Sequence, residues 1–206
     1  TEMPETSNFN TAPGRPVPNL VVMGIGADGC IDVYNAHGSA HCLVDVFGYF
    51  QPSTGDRFTS VDPQRLFDSR NGTGIRQGKF NGATPVDIPV AGVGDVPGTG
   101  ATAVVLNFTV TEPAAPGWMR VRPSGDTIVN DTSNVNFYAG DVVPNLVICK
   151  LGANGQITVD GSPTDVHVIG DVRGSGGSEG EHIGNYNAGG VSLGQDAYDV
   201  IEWVAA

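Results

Sequence analysis

Two guanidinium groups bracket a carboxylate in Arg65-Leu66-Phe67-Asp68-Ser69-Arg70, beside two apolar side chains. Asp171 stands between apolar neighbours in a stretch with the alternation of a strand. A carboxylate buried there needs a cationic partner, because an unpaired buried charge costs several kcal/mol. The expectation is that Arg65 or Arg70 pairs with Asp171 and ties the first half of a domain to its last strand. The alternative is that all four are solvated. Neither arrangement is catalytic, and no catalytic signature occurs elsewhere: GxSxG, HExxH, Walker A and paired CxxC are absent. Gly92-Val93-Gly94 lies in a loop without strand-to-helix context, so it is no nucleotide fingerprint. No catalytic residue and no cofactor are expected.

Metal and glycan chemistry have weaker candidates. His41 and His167 have no Cys or second His at ligand spacing, which favours a structural role. Asp126, Asp131 and Asp141 are loop acids without a DxDxDG series, so no metal is assigned. Asn is poor in strands, yet Asn134 and Asn136 lie on or beside one. They serve turns and backbone hydrogen bonds, or they form a polar patch that contacts sugars, with Trp118 and Tyr138 stacking on a ring.

A duplication sets the elements that position these side chains. Residues 6–50 and 132–174 align without a gap: Asn19 matches Asn145, His41 matches His167 and Asp45 matches Asp171, an offset of 126. A repeat of that length is a whole domain, not a solenoid unit. The chain therefore divides into 1–50 (the C-terminal half of a first repeat), a linker at 51–56, and a complete repeat at 57–173. A Gly-rich linker at 174–194 and a docking segment at 195–206 follow.

The 30 Gly and 14 Pro of the 206 residues cut the chain into pieces too short for most helices. Strands are expected around Ser7–Asn10, 20–23, 30–34 and 41–50 in the half repeat, and at 84–90, 101–111 and 118–122 in the full one. Asp28-Gly29 and Asn154-Gly155 are primed-turn signatures. The expected fold is all-β, a sandwich or jelly-roll-like arrangement. In the tail, Tyr198, Ile201 and Val204 are spaced for one helical face. A short amphipathic helix is favoured there, with a docking strand as the alternative. A net charge of −12 disfavours nucleic acid and anionic lipid, and no apolar run is long enough for a membrane span. Cys30 and Cys42 flank a turn-rich stretch and are both absent from the second copy, where Gln156 and Val168 stand. A cross-strand disulfide between them is expected, consistent with an oxidising compartment.

RLFDSR, VPGTGATAVVLNFTVTEP, SNVNFYAGDVVPNLV and VHVIGDVRG occur here in that order. Together they resemble a β-rich domain repeated in secreted proteins of actinobacteria, which runs RLLDTR, AVVLNVTVT, SNLNF, ANLV and VDVSGYF. The resemblance covers residues 57–173 and, as a trailing half, 6–50. It implies a non-catalytic accessory or structural module at the cell surface. Arg173 departs from it, since the first copy carries Phe47 there.

A half domain exposes strand edges and half a core, and such edges recruit partners. The expected partners are other copies of this chain or neighbouring surface subunits, with Val200, Ile201, Trp203 and Val204 of the tail filling a gap in a neighbour. A cell-wall glycan is an alternative partner, and a virion decoration or tail protein an alternative setting.

Overall fold

The computed structural model describes residues 7–50, 55–127 and 132–172. Of these, 7–10 and 21–46 belong to one unit, and 11–20, 47–50, 55–127 and 132–172 to another. The second unit is an all-β sandwich of two antiparallel sheets, and the described residues contain no helix. Its strands are β1 (Gln64–Asp68), β2 (Phe80–Asn81), β3 (Val86–Pro89), β4 (Ala103–Thr111) and β5 (Gly117–Pro123). They continue with β6 (Val135–Phe137), β7 (Val142–Lys150), β8 (Gln156–Gly161) and β9 (Asp165–Val172). One sheet runs β1-β9-β4-β7, with β2 also on β9; the other runs β3-β8-β5-β6.

The core follows from period-two patterning. Val104, Leu106, Phe108 and Val110 of β4 point inward, and Met119 and Val121 of β5 and Ile157 and Val159 of β8 meet them from the other sheet. Each such side chain, fully buried, stabilises the fold by about 1.5–3 kcal/mol. Pro144 is tolerated in β7 because that strand is the edge of its sheet, where a missing N–H breaks no inner ladder.

Every ladder in this sandwich joins a strand from residues 57–127 to one from 132–172. In the first sheet β9 and β7 of the later segment flank β4, and β1 and β2 of the earlier segment close on β9. In the second, β8 lies between β3 and β5, and β6 pairs with β5. No ladder joins two strands of the same half among the described residues. The halves are interleaved, and neither can form a sheet from its own strands in this topology.

This corrects the expectation for the half repeat. Residues 7–50 contain no strand, and the stretches 20–23, 30–34 and 41–50 run without ladder partners. The only β1–β5 strands among the described residues are already paired with β6–β9. The local turns form nonetheless. The Gly26 and Gly29 amides donate to the Cys30 and Gly26 carbonyls, both at 2.9 Å, and the Cys30 amide donates to Asp28 Oδ1 at 3.0 Å. The same three bonds recur 126 residues later, at Gly152, Gly155 and Gln156. Gly29 and Gly155 take φ of +79° and +73°, as the turn requires. The disulfide is also absent: Cys30 and Cys42 are free and exposed. With no strand formed over 30–34 or 41–50, no ladder holds the two side by side; their counterparts Gln156 and Val168 lie on β8 and β9, in different sheets.

At Gly170 the two halves touch most closely. A Cβ there would sit 2.1 Å from the Phe67 ring, which packs on Phe108 with centroids 6.3 Å apart. Gly170→Ala is expected to destabilise the domain by about 1–3 kcal/mol through overpacking. Phe67→Leu in the same chain should recover part of that loss, read as a negative coupling in a urea double-mutant cycle; simple additivity would refute the contact.

Candidate functional site

The predicted charged residues meet at the β1–β9 seam. Arg65 lies opposite Asp171 in register, and a register shift between Arg65 and Phe67 turns the end of β1. Arg65 Nε donates to Asp171 Oδ1, and its Nη1 reaches Asp68 Oδ2 at 2.5 Å. Arg70 does not meet Asp171; it closes back on Asp68, with Nη2 at 2.8 Å and its backbone N–H at 2.9 Å. Asp68 is buried, so these donors replace its water. Hydrogen bonds from the Arg70 side chain, partly opposed by burial, lower its pKa from 3.8 to about 2. Next to it the fully buried Ser69 hydroxyl accepts the Val168 N–H and lies 3.0 Å from His167 Nδ1. That pair has the spacing of a nucleophile and its base, but its burial closes the hydroxyl to a substrate.

A second charged cluster was missed from sequence. Arg120 and Arg122 alternate on one face of β5, and Asp160 of β8 receives Arg120 Nε at 2.5 Å and Arg122 Nε at 2.8 Å. Burial would raise the Asp160 carboxyl, but the two hydrogen bonds and the positive charges overcome it and hold it below the usual range. The available signal was two arginines at period two in Trp118-Met119-Arg120-Val121-Arg122, opposite the lone acid of Thr158-Val159-Asp160. Reading it required knowing that β5 pairs with β8.

The glycan candidates separate. Asn134 is buried; its Oδ1 accepts the Val121 N–H at 2.7 Å and its carbonyl accepts Asn145 Nδ2 at 2.7 Å. It is a strand clamp and is closed to sugar, which corrects that assignment. Tyr138 is occupied: its hydroxyl donates to the Gly14 carbonyl at 2.5 Å, and Arg15 lies over its ring at 4.9 Å. Trp118 and Asn136 remain partly exposed and are register partners across β5–β6, with the Arg120 guanidinium 5.6 Å from the Trp118 ring centroid. Asp141, one of the loop acids, accepts the Tyr138 N–H at 2.8 Å.

No group of three or more His, Cys, Asp or Glu side chains could hold a metal among the described residues. Cys149 is a buried thiol whose pKa desolvation pushes up to about 12, so it is unreactive at neutral pH. A depression of about 210 Å³ lined by Ile75, Arg76, Phe80, Asn81, Thr84 and Val86 contains no acid–base pair. The docking residues Tyr198, Ile201, Trp203 and Val204, the acid Asp131 and residue Arg173 lie outside the described residues. Among the described residues no helix is long and apolar enough to cross a membrane.

Several of these polar contacts share one property. Arg65 with Asp171, Ser69 with His167, Arg120 and Arg122 with Asp160, and Val121 N–H with Asn134 each join residues 57–127 to 132–172. So do Asp87, which accepts from Thr158 Oγ1 at 2.5 Å, and Trp118 N–H, which donates to Ser162 Oγ at 2.7 Å. The charges are distributed to match: residues 57–127 hold seven Lys and Arg against six acids, and 132–172 hold one against four. No family model, curated protein or solved structure matches this chain.

Asp68 has a folded pKa below its unfolded value. Its contribution is full above the ordinary carboxyl pKa of 3.8 and is lost as pH falls toward about 2. The unfolding midpoint in urea is therefore expected to drop between pH 4 and 2 (about the span between those two values), and Asp68→Asn should flatten that limb; an unchanged limb would refute the assignment. Asp160→Ala, which strands two arginines, should cost about 3–5 kcal/mol by urea unfolding.

Proposed function

We propose that this chain is a non-catalytic structural or adhesive module displayed outside the cell, and that it packs against neighbouring subunits through the half repeat at residues 7–50. The carrying observation is the exposure of that segment's apolar residues. Leu43, Val46 and Val33 are 88%, 83% and 62% exposed, whereas Ile169, Val172 and Val159 at the same places of the complete repeat are 7%, 5% and 0% exposed. Unpaired strands with an intact apolar face are association sites. The net charge of −12 suits a soluble extracellular protein. The resemblance to the actinobacterial surface domain supports the same reading.

A carbohydrate-binding role is the second reading, favoured by Trp118 and Asn136 lying side by side and partly exposed on the four-stranded sheet. Light scattering separates the two. The structural module associates as its concentration rises, and Leu43→Ser with Val46→Ser weakens that association. A chain that stays monomeric at high concentration and is instead retained on purified cell-wall polysaccharide would overturn the first reading in favour of the second.

A further inference from the structure

The complete repeat shows what covers residues 7–50. Resting on the proposed role as an assembly module, we infer that the occupant is a polypeptide segment of the β1–β5 type, a first half like residues 57–127.

The alternation of halves carries this inference. Each strand of 132–172 finds its ladder partners only in 57–127, so a segment built like 132–172 needs the same partners. Residues 7–50 are built that way. Phe9, Val21, Met23, Ile31, Val33, Cys42, Leu43 and Val46 stand where Val135, Val147, Cys149, Ile157, Val159, Val168, Ile169 and Val172 are buried. Gly26 and Gly29 stand at Gly152 and Gly155. There an added Cβ would lie 2.2 Å from the Ser124 carbonyl and 2.6 Å from Ala91 Cβ, both of the first half. Residues 7–50 keep both glycines, which their own turn also uses: a Cβ at Gly26 would lie 2.7 Å from Asp28 Oδ1, and Gly29 has a φ of +79°. Asp45 stands at Asp171, which binds Arg65, and His41 at His167, which binds Ser69. Residues 7–50 hold one Arg against three Asp, the sign that a cation-bearing first half complements.

Three departures distinguish the partner from residues 57–127. Val44 stands at Gly170, so the partner has a side chain smaller than Phe where Phe67 is. Tyr34 stands at Asp160, so the partner lacks the Arg120–Arg122 charge pair or leaves it to solvent. Asn35 stands at Gly161, where a Cβ would lie 2.2 Å from the Trp118 carbonyl, so pairing of that strand ends one residue sooner.

The test places a copy of residues 57–131 directly ahead of Thr6 in the full chain, in place of residues 1–5. One version is unchanged and one carries Phe67→Leu in the added copy. The added half is also supplied as a separate chain. Two signals are read under reducing conditions: amide hydrogen exchange at 20–22, 31–34 and 42–46, and alkylation of Cys42, which is exposed now and would enter the core at the place of Val168. The expected result is exchange slowed by roughly a thousandfold or more, a comparable loss of Cys42 reactivity, and the larger effect with Phe67→Leu. Protection in β4, β7 and β9 shows that the resident domain is intact. If those strands are protected while 20–46 exchange freely with the added half both fused and separate, the inference is overturned. Equal protection with Phe67 and Leu overturns the size match. Association of the unmodified chain is read separately: its absence sinks the proposed module, whereas its presence without completion sinks only this partner.

Discussion

Hydrogen bonding between halves governs this protein. A backbone amide and carbonyl in a strand must find partners, and in this sandwich they lie in the other half of the complete repeat. Inserting β9 between β1 and β4, and β8 between β3 and β5, makes each half the template for the other. The result is a domain of long-range contacts, whose core closes only when both segments are present.

The polar side chains obey the same rule. Asp68 and Asp160 are buried carboxylates, each held ionised by two arginines. Asp68 is satisfied within the first half and reaches the second only through Arg65, which also binds Asp171; Asp160 of the second half without Arg120 and Arg122 would be a desolvated charge, so that cluster discriminates between a correctly docked half and a merely apolar one. Gly170 against Phe67 adds a test of shape. Charge, shape and hydrogen bonding are all checked at one seam. Such a seam can tell one first half from another.

The half repeat shows what this dependence means for a segment that pairs with none of the described strands. Its turns at Gly26–Cys30 carry the same hydrogen bonds as Gly152–Gln156, because an Asx side chain and a glycine with positive φ satisfy them within five residues. Its strands do not form, because the β1–β5 strands among the described residues are already paired with β6–β9. One sequence pattern, present twice, thus appears once as a sandwich and once as turns joined by unpaired chain.

The all-β class, the strands from Ala103 to Thr111 and from Gly117 to Pro123, and the two Gly turns were legible in the order of residues. They rest on period-two patterning and on local backbone preference. Asp171 was legible as needing Arg65 or Arg70, since a carboxylate among apolar neighbours demands a cation; that it is Arg65 was not. The Arg120–Asp160 cluster, the burial of Asn134 and the separation of Cys30 and Cys42 into positions of different sheets were not, because each depends on which strands are neighbours. Short-range patterns set turn, period and face. Strand order is a long-range choice, made when two interleaved halves bury one core between them, and only the folded arrangement shows which strands become neighbours.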